Sequence, residues 1–171
     1  MNTMVYKVFL KSLIIVIGMS GFAALAQNEE TEVTISTKGF DDWQLRCEQA
    51  KGQAKQCVMT QQALIQNSGQ RLMQVNIAKS AEDKTLMTAV LPLGFYLPAG
   101  AKLSIGDKAA QDMVVAFCNQ GGCYANVTLT SALIRDIGSA EQVVVNIQLQ
   151  PEQEVGVPIS VTGFSDAIKN L

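Results

Sequence analysis

The chain has no histidine among its 171 residues, and it carries only four prolines, one tryptophan and 16% charged side chains. Without histidine there is no Ser-His-Asp triad, no imidazole general base and no His-ligated metal. Thirteen Lys and Arg stand against fifteen Asp and Glu, a net charge of −2. That balance offers no basic stripe to grip a phosphate backbone, so nucleic acid is not an expected partner. The sequence also lacks a Gly-x-Gly-x-x-Gly, a P-loop and a Gly-x-Ser-x-Gly elbow. Ser104/Lys108 and Ser165/Lys169 are spaced one residue too far apart for a Ser-x-x-Lys pair. Asp41 and Asp42 are adjacent on an extended segment, which turns their carboxylates to opposite sides, and no loop of calcium-ligand spacing follows. Catalytic, cofactor-binding and metal-binding residues are therefore all assigned as none, and the chain reads as a non-enzyme that needs no cofactor.

What is present begins with a targeting segment. Lys7 and Lys11 form a positive start, Leu13 to Leu25 is apolar, and Ala24-Leu25-Ala26 has the small-x-small pattern of a cleavage site before Gln27. The strongly apolar part is about half the ~20 residues needed to span a bilayer, so residues 1–26 read as a secretory signal peptide and not as an anchor. Cleavage leaves about 145 residues with no integral membrane span, and loss of the two lysines makes the chain two units more negative. A chain of that size supports one core.

The four cysteines fall into two local pairs, Cys47 with Cys57 and Cys118 with Cys123. Four cysteines allow three pairings, and the sequence alone does not choose; locality favours Cys47–Cys57 and Cys118–Cys123. An exported chain meets an oxidising compartment, where disulfides are the default. Zinc is the competing reading, but the spacings are not those of a zinc knuckle and no His is available to complete a shell. Neither is there a Cys-x-x-Cys for a redox centre. Asn119-Gln120-Gly121-Gly122 has the composition of a hairpin turn, which would set Cys118 and Cys123 opposite each other at its base.

Alternating apolar and polar residues run through most of the remainder. Residues 27–39 are a polar leader with a short edge strand expected near Val33 to Ser36. Trp43 to Cys47, Cys57 to Ile65, Met73 to Ile77, Cys123 to Leu129 and Val143 to Leu149 alternate at the strand period. Thr85 to Leu91, apolar on both faces, reads as a central strand. Lys102 to Ile105, Asp112 to Phe117 and Val157 to Val161 supply shorter strands, and Pro151 to Gly156 reads as a turn. Ser131 to Ile137 has helical spacing, with Thr130 or Ser131 as cap and Gly138 as stop. A helical turn closes Gly163 to Leu171. Eight to nine short strands with one short helix indicate an all-β, antiparallel β-sandwich.

Leu91-Pro92-Leu93-Gly94-Phe95-Tyr96-Leu97-Pro98-Ala99-Gly100 interrupts the pattern with two prolines and two glycines among apolar side chains. It reads first as a packed crossover loop. The sharper reading is an exposed apolar interaction patch around Phe95 and Tyr96. Trp43, alone on an apolar strand face, is expected in the core. Asn126-Val127-Thr128 fits a glycosylation sequon, which matters only in a eukaryotic secretory pathway.

Taken in order, Trp43-Gln44-Leu45-Arg46-Cys47, Cys57-Val58-Met59 with Gln61, Leu91-Pro92-Leu93-Gly94 with Leu97-Pro98-Ala99-Gly100, Phe117-Cys118, Gly122-Cys123 and Val161-Thr162-Gly163-Phe164 form a recognisable set. The chain resembles the invasion-associated locus B family of bacterial exported proteins from about Phe40 to Leu171. The resemblance implies an immunoglobulin-like β-sandwich and export to the periplasm, to the envelope or outside the cell. It carries over Cys47, Cys57, Cys118 and Cys123 as structural disulfides and brings no catalytic residue. The family name implies a link to host-cell entry. The function expected is a binding module for an unknown protein or envelope component, with a periplasmic stress or assembly factor of chaperone type as the alternative.

Overall fold

The computed structural model describes residues 32–171, so the expected signal peptide and the first part of the leader lie outside the described residues. Ten antiparallel strands follow in chain order: β1 Val33–Phe40, β2 Trp43–Ala50, β3 Gln56–Leu64, β4 Arg71–Lys79, β5 Thr85–Leu91, β6 Ala101–Ile105, β7 Gln111–Asn119, β8 Gly122–Leu129, β9 Val143–Gln150 and β10 Gln153–Ile159. Two short helices, α1 Ser131–Ser139 and α2 Phe164–Ile168, complete the fold. Hydrogen bonding orders the strands β1-β2-β3-β4-β5-β8-β7-β6-β9-β10. Strand β7 belongs to both layers of the sandwich. Its first residues pair with β6, and Val114 to Asn119 pair with β8. An irregularity between Val115 and Phe117 leaves Ala116 as an extra residue, which bends the strand where the ladder turns from one layer into the other. Strands β6, β7 and β8 form a meander and β5 pairs with β8, so the loop from β5 to β6 is a Greek-key crossover.

Side-chain alternation puts the core between the layers. Trp43, Leu45 and Cys47 of β2, Met73, Val75 and Ile77 of β4, and Met87, Ala89 and Leu91 of β5 are buried in one core with Leu103, Val145 and Ile147 of the smaller layer. Met59, Met73, Met87 and Met113 are all buried. Unbranched and polarisable, they fill the irregular space between two layers joined at a bend. Burial of each large apolar side chain contributes about 1.5–3 kcal/mol.

The chain's last residues close the sandwich against its first strands. Trp43 is 1% exposed, and its ring meets Phe164 of α2 edge-on at 5.6 Å. Its Nε1–H donates to the Ser160 carbonyl at 3.0 Å. Gly163 sits at φ +81° with its Cα so close to Phe40 that an added Cβ would overlap the Phe40 carbonyl. Thr130 caps α1 by accepting the Leu133 N–H at 3.2 Å.

Three local expectations change. The leader is strand from Val33 on: β1 pairs with β2 in unbroken register from Val33↔Ala50 to Phe40↔Trp43. Its β-branched residues favour the extended form, but its side chains are nearly all exposed, so no burial pattern announces it. Pro151 to Gly156 is not one turn, because β10 already begins at Gln153. Gly156 is there for space: a Cβ would lie 2.8 Å from Val144 Cγ1 and 2.9 Å from Asn146 Oδ1. Gly138 lies inside α1, not at its end, where a Cβ would come 2.6 Å from Ser165 Oγ as α2 packs close.

Candidate functional site

Both cysteine pairs form disulfides, Cys47–Cys57 and Cys118–Cys123, and the described residues contain no free cysteine. Each bridge joins directly opposite residues of neighbouring strands, β2 with β3 and β7 with β8. The second hairpin turns through Gln120 and Gly121 alone, since Asn119 still pairs with Gly122. Asn119 Oδ1 accepts the Gly121 N–H at 2.8 Å and holds the turn.

The loop between β5 and β6 separates the two residues expected to act together. Phe95 is 5% exposed and belongs to the core, so it does not form an exposed patch. Its ring is the apolar group that anchors the crossover loop, and burial recovers more than exposure could. Tyr96 remains partly exposed, as do Leu93 and Leu97 around a single 3₁₀ turn at Leu97–Ala99. The Tyr96 N–H donates to the Gln148 carbonyl at 2.6 Å and fixes the loop to β9.

A different surface stands out on the outer face of the larger layer. Strand register aligns its outward side chains in rows across β3, β4, β5, β8 and β7. One row is Thr60, Asn76, Thr88, Asn126 and Val114. The next is Gln62, Gln74, Val90, Tyr124 and Phe117. A third holds Val58, Ala78, Leu86 and Thr128. None of these side chains carries a charge; Arg46 of β2 stands opposite Val58, Arg71 lies beside Gln74, and Lys79 borders the rows on β4. An exposed strand face ordinarily takes its polar positions from charged residues as well as amides, and these rows take none.

Hydrogen bonds fix the amides of the face. Thr60 Oγ1 and Gln74 Nε2 both donate to Asn76 Oδ1, at 3.0 and 2.8 Å. Thr88 Oγ1 donates to Asn126 Oδ1 at 2.7 Å. Gln62 Nε2 and Arg71 Nη1 both donate to Gln74 Oε1 at 3.1 Å. Phe117, 54% exposed, stacks on Tyr124 with ring centroids 4.5 Å apart and planes 18° apart. The Cys118–Cys123 bridge is the adjacent cross-strand pair, so it holds the register of the two rings. Val114, 70% exposed, continues the apolar edge along β7. Small Ala78 between Val58 and Leu86 leaves a shallow depression of about 390 Å³ in the same face.

A second open cleft, about 620 Å³, lies where β10 approaches β3 and includes Asp42, Gln61 and Ser160. Three of its polar residues are occupied with one another: Ser160 Oγ donates to Asp42 Oδ2 at 2.6 Å, and Gln61 Oε1 accepts the Ser160 N–H at 2.8 Å. That cleft is a closure point of the sandwich. Among the described residues no group of three His, Cys, Asp or Glu is placed to hold a metal ion.

Comparison with known proteins adds a lineage to this geometry. A family model described as "Invasion associated locus B (IalB) protein" matches residues 43–171. The chain belongs to the invasion associated locus B family. Two relatives, each named Invasion protein B homolog and found in Brucella abortus strain 2308 and Brucella abortus biovar 1 strain 9-941, are 27% identical over 154 residues. Those alignments cover 90% of this chain and 88% of each relative. The crystal structure of invasion associated protein B from Bartonella henselae superposes with a TM-score of 0.68 at 16% identity, covering 79% of this chain and 94% of that one. The locus B match starts at Trp43, so β1 lies outside it, whereas both disulfides and the whole uncharged face lie within it.

The uncharged face was the part of the site that residue-by-residue reading missed. A signal existed in part: Val58, Thr60 and Gln62 of β3, Gln74, Asn76 and Ala78 of β4, and Leu86, Thr88 and Val90 of β5 are all uncharged. Once Cys118 pairs with Cys123, Phe117 must face Tyr124 or the residue beside it.

Proposed function

We propose that this locus B protein is an exported, non-enzymatic binding module of the bacterial envelope. It works from the periplasm or the cell surface, engages its partner through the outer face of the larger layer, and contributes to contact with host cells. The uncharged, hydrogen-bonded face with its stacked aromatic pair is the observation that carries this reading. Such a surface has no ion to strip of water, its asparagine oxygens are held by bonds within the face, and its asparagine N–H groups are left for a partner. Two disulfides fit an oxidising compartment, and no helix among the described residues is long and apolar enough to cross a membrane. The names of the Brucella relatives, Invasion protein B homolog, support the link to invasion.

The test is photocrosslinking in intact cells. A photoreactive residue replacing Val114 or Thr88 should give discrete adducts, and one replacing Asp107, in the turn between β6 and β7, should not. Adducts of equal yield at all three positions, or none at Val114 and Thr88, reject the face as the binding surface.

A second reading, a chaperone-like envelope factor, draws on exposed Leu93, Tyr96 and Leu97. If it holds, the double variant Tyr96→Ser and Leu97→Ser loses the ability to suppress aggregation of an unfolded client. Full retention of that ability eliminates the loop as the client site.

A further inference from the structure

We infer that the outer face of the larger layer binds an uncharged oligosaccharide laid across the strands. The inference rests on the binding-face reading and names the chemistry of the occupant.

Charge is the first consideration. The protein as a whole is acidic, with a net charge of −2, whereas the rows of the face hold no charged side chain. The cations beside the rows are each engaged, Arg46 with Glu48, Arg71 with Gln74 and the Gly121 carbonyl, and Lys79 with Asp83, and no carboxylate stands in the rows. A neutral ligand needs no charged counterpart.

Hydrogen-bonding capacity is the second. The oxygens of Asn76 and Asn126 accept from Thr60, Gln74 and Thr88, so their geometry is set. No hydrogen bond among the described residues engages Nδ2 of either asparagine, and each NH₂ supplies two donors. The threonine hydroxyls keep acceptor lone pairs after donating. Donors and acceptors therefore alternate along one row. Sugar hydroxyls both donate and accept, which is what an alternating row requires of its ligand.

Spacing and stacking complete the match. Neighbouring strands lie about 4.8 Å apart, so the row repeats at roughly the length of one pyranose ring. At the end of the next row, the Phe117–Tyr124 pair offers a rigid apolar surface for the C–H face of a sugar. A flat protein partner would use the apolar groups too, but it would leave the alternating row of single donors and acceptors without a systematic counterpart.

The experiment uses the purified exported protein with both disulfides intact. Maltohexaose, cellohexaose and chitohexaose serve as neutral probes and heparin as the anionic control, followed by calorimetry and by NMR shift mapping. At least one neutral probe should bind, with shifts concentrated at Asn76, Thr88, Asn126, Tyr124 and Phe117. Phe117→Ala should weaken it by about ten-fold at unchanged Tm. Asn126→Leu, which keeps the fold's packing, should do the same. Absence of binding by all three neutral probes at millimolar concentration overturns the inference, as does preference for heparin or shifts that map elsewhere. Failure here with adducts still forming at Val114 and Thr88 in cells leaves the binding face standing with a protein occupant. Loss of both results removes the face as well.

Discussion

Replacing Gln61 by Leu should lower the melting temperature by roughly 3–10 °C while leaving the fold intact. The side-chain amide of Gln61 pairs with the peptide group of Ser160 as a strand neighbour would. Oε1 accepts the Ser160 N–H at 2.8 Å, and Nε2 lies 3.3 Å from the Ser160 carbonyl and 3.4 Å from that of Asp42. Leucine keeps the bulk and strands the Ser160 N–H. An unsatisfied buried donor costs about 1–3 kcal/mol, and this junction is only part-buried, so about 1–2 kcal/mol is expected. The two longer contacts add little at their distances. The Ser160 carbonyl keeps its bond from Trp43 Nε1 at 3.0 Å. For a domain of this size each kcal/mol moves Tm by roughly 3–5 °C. Scanning calorimetry and urea unfolding of the oxidised protein provide the measurement, with the urea m-value expected to stay constant. Trp43→Phe removes the other bond to Ser160, so the double variant should show a coupling of about 0.5 kcal/mol or more. A Tm change below 1 °C for Gln61→Leu, together with strict additivity, would show that the junction does not hold the two ends of the chain together.

Other substitutions test other parts of the fold. Replacing both Cys118 and Cys123 by Ser should cost about 2 kcal/mol by loop-closure entropy, and replacing both Cys47 and Cys57 about 3, since that loop is longer; denaturant midpoints under oxidising conditions check the order. Glu152 holds φ +67° in the turn between β9 and β10, where a side chain is strained, so Glu152→Gly should raise stability by about 1 kcal/mol in thermal melts. Gly163→Ala should do the reverse, costing about 2–4 kcal/mol, because its Cβ would meet the Phe40 carbonyl in a left-handed conformation. Thr130→Ala should cost about 1 kcal/mol by removing the cap of α1, again read from Tm.

The strands with one buried face were legible in the sequence because a period of two survives wherever alternate residues enter the core. Trp43-Leu45-Cys47 and Val143-Val145-Ile147 show it, and both lie where expected. Strand β1 was only partly legible, because it is held by backbone pairing while its side chains face solvent. Gly156 and Gly138 suggested a turn and a helix end, yet both answer to a packed neighbour that needs the space, the facing strand β9 for Gly156 and Ser165 of α2 for Gly138. Phe95 reads as exposed only when the loop is considered without the core beneath it. The binding face depends on which strands are neighbours, and β8 beside β5 is not adjacent in sequence. Its rows exist only after the Greek-key crossover is known.

The closure at Ser160 has a consequence for the order in which the sandwich is completed. Trp43 and Ser160 are 117 residues apart, and the bond between them joins nearly the first strand to nearly the last segment. A chain that passes a secretion channel from its N-terminus has its opening strands on the far side long before Ser160 and Phe164 arrive. Until then Trp43 has neither its ring partner nor its acceptor, and the sandwich stays open along that side. For a chain exported as proposed above, the final dozen residues are the latch that completes the sandwich after the rest has crossed.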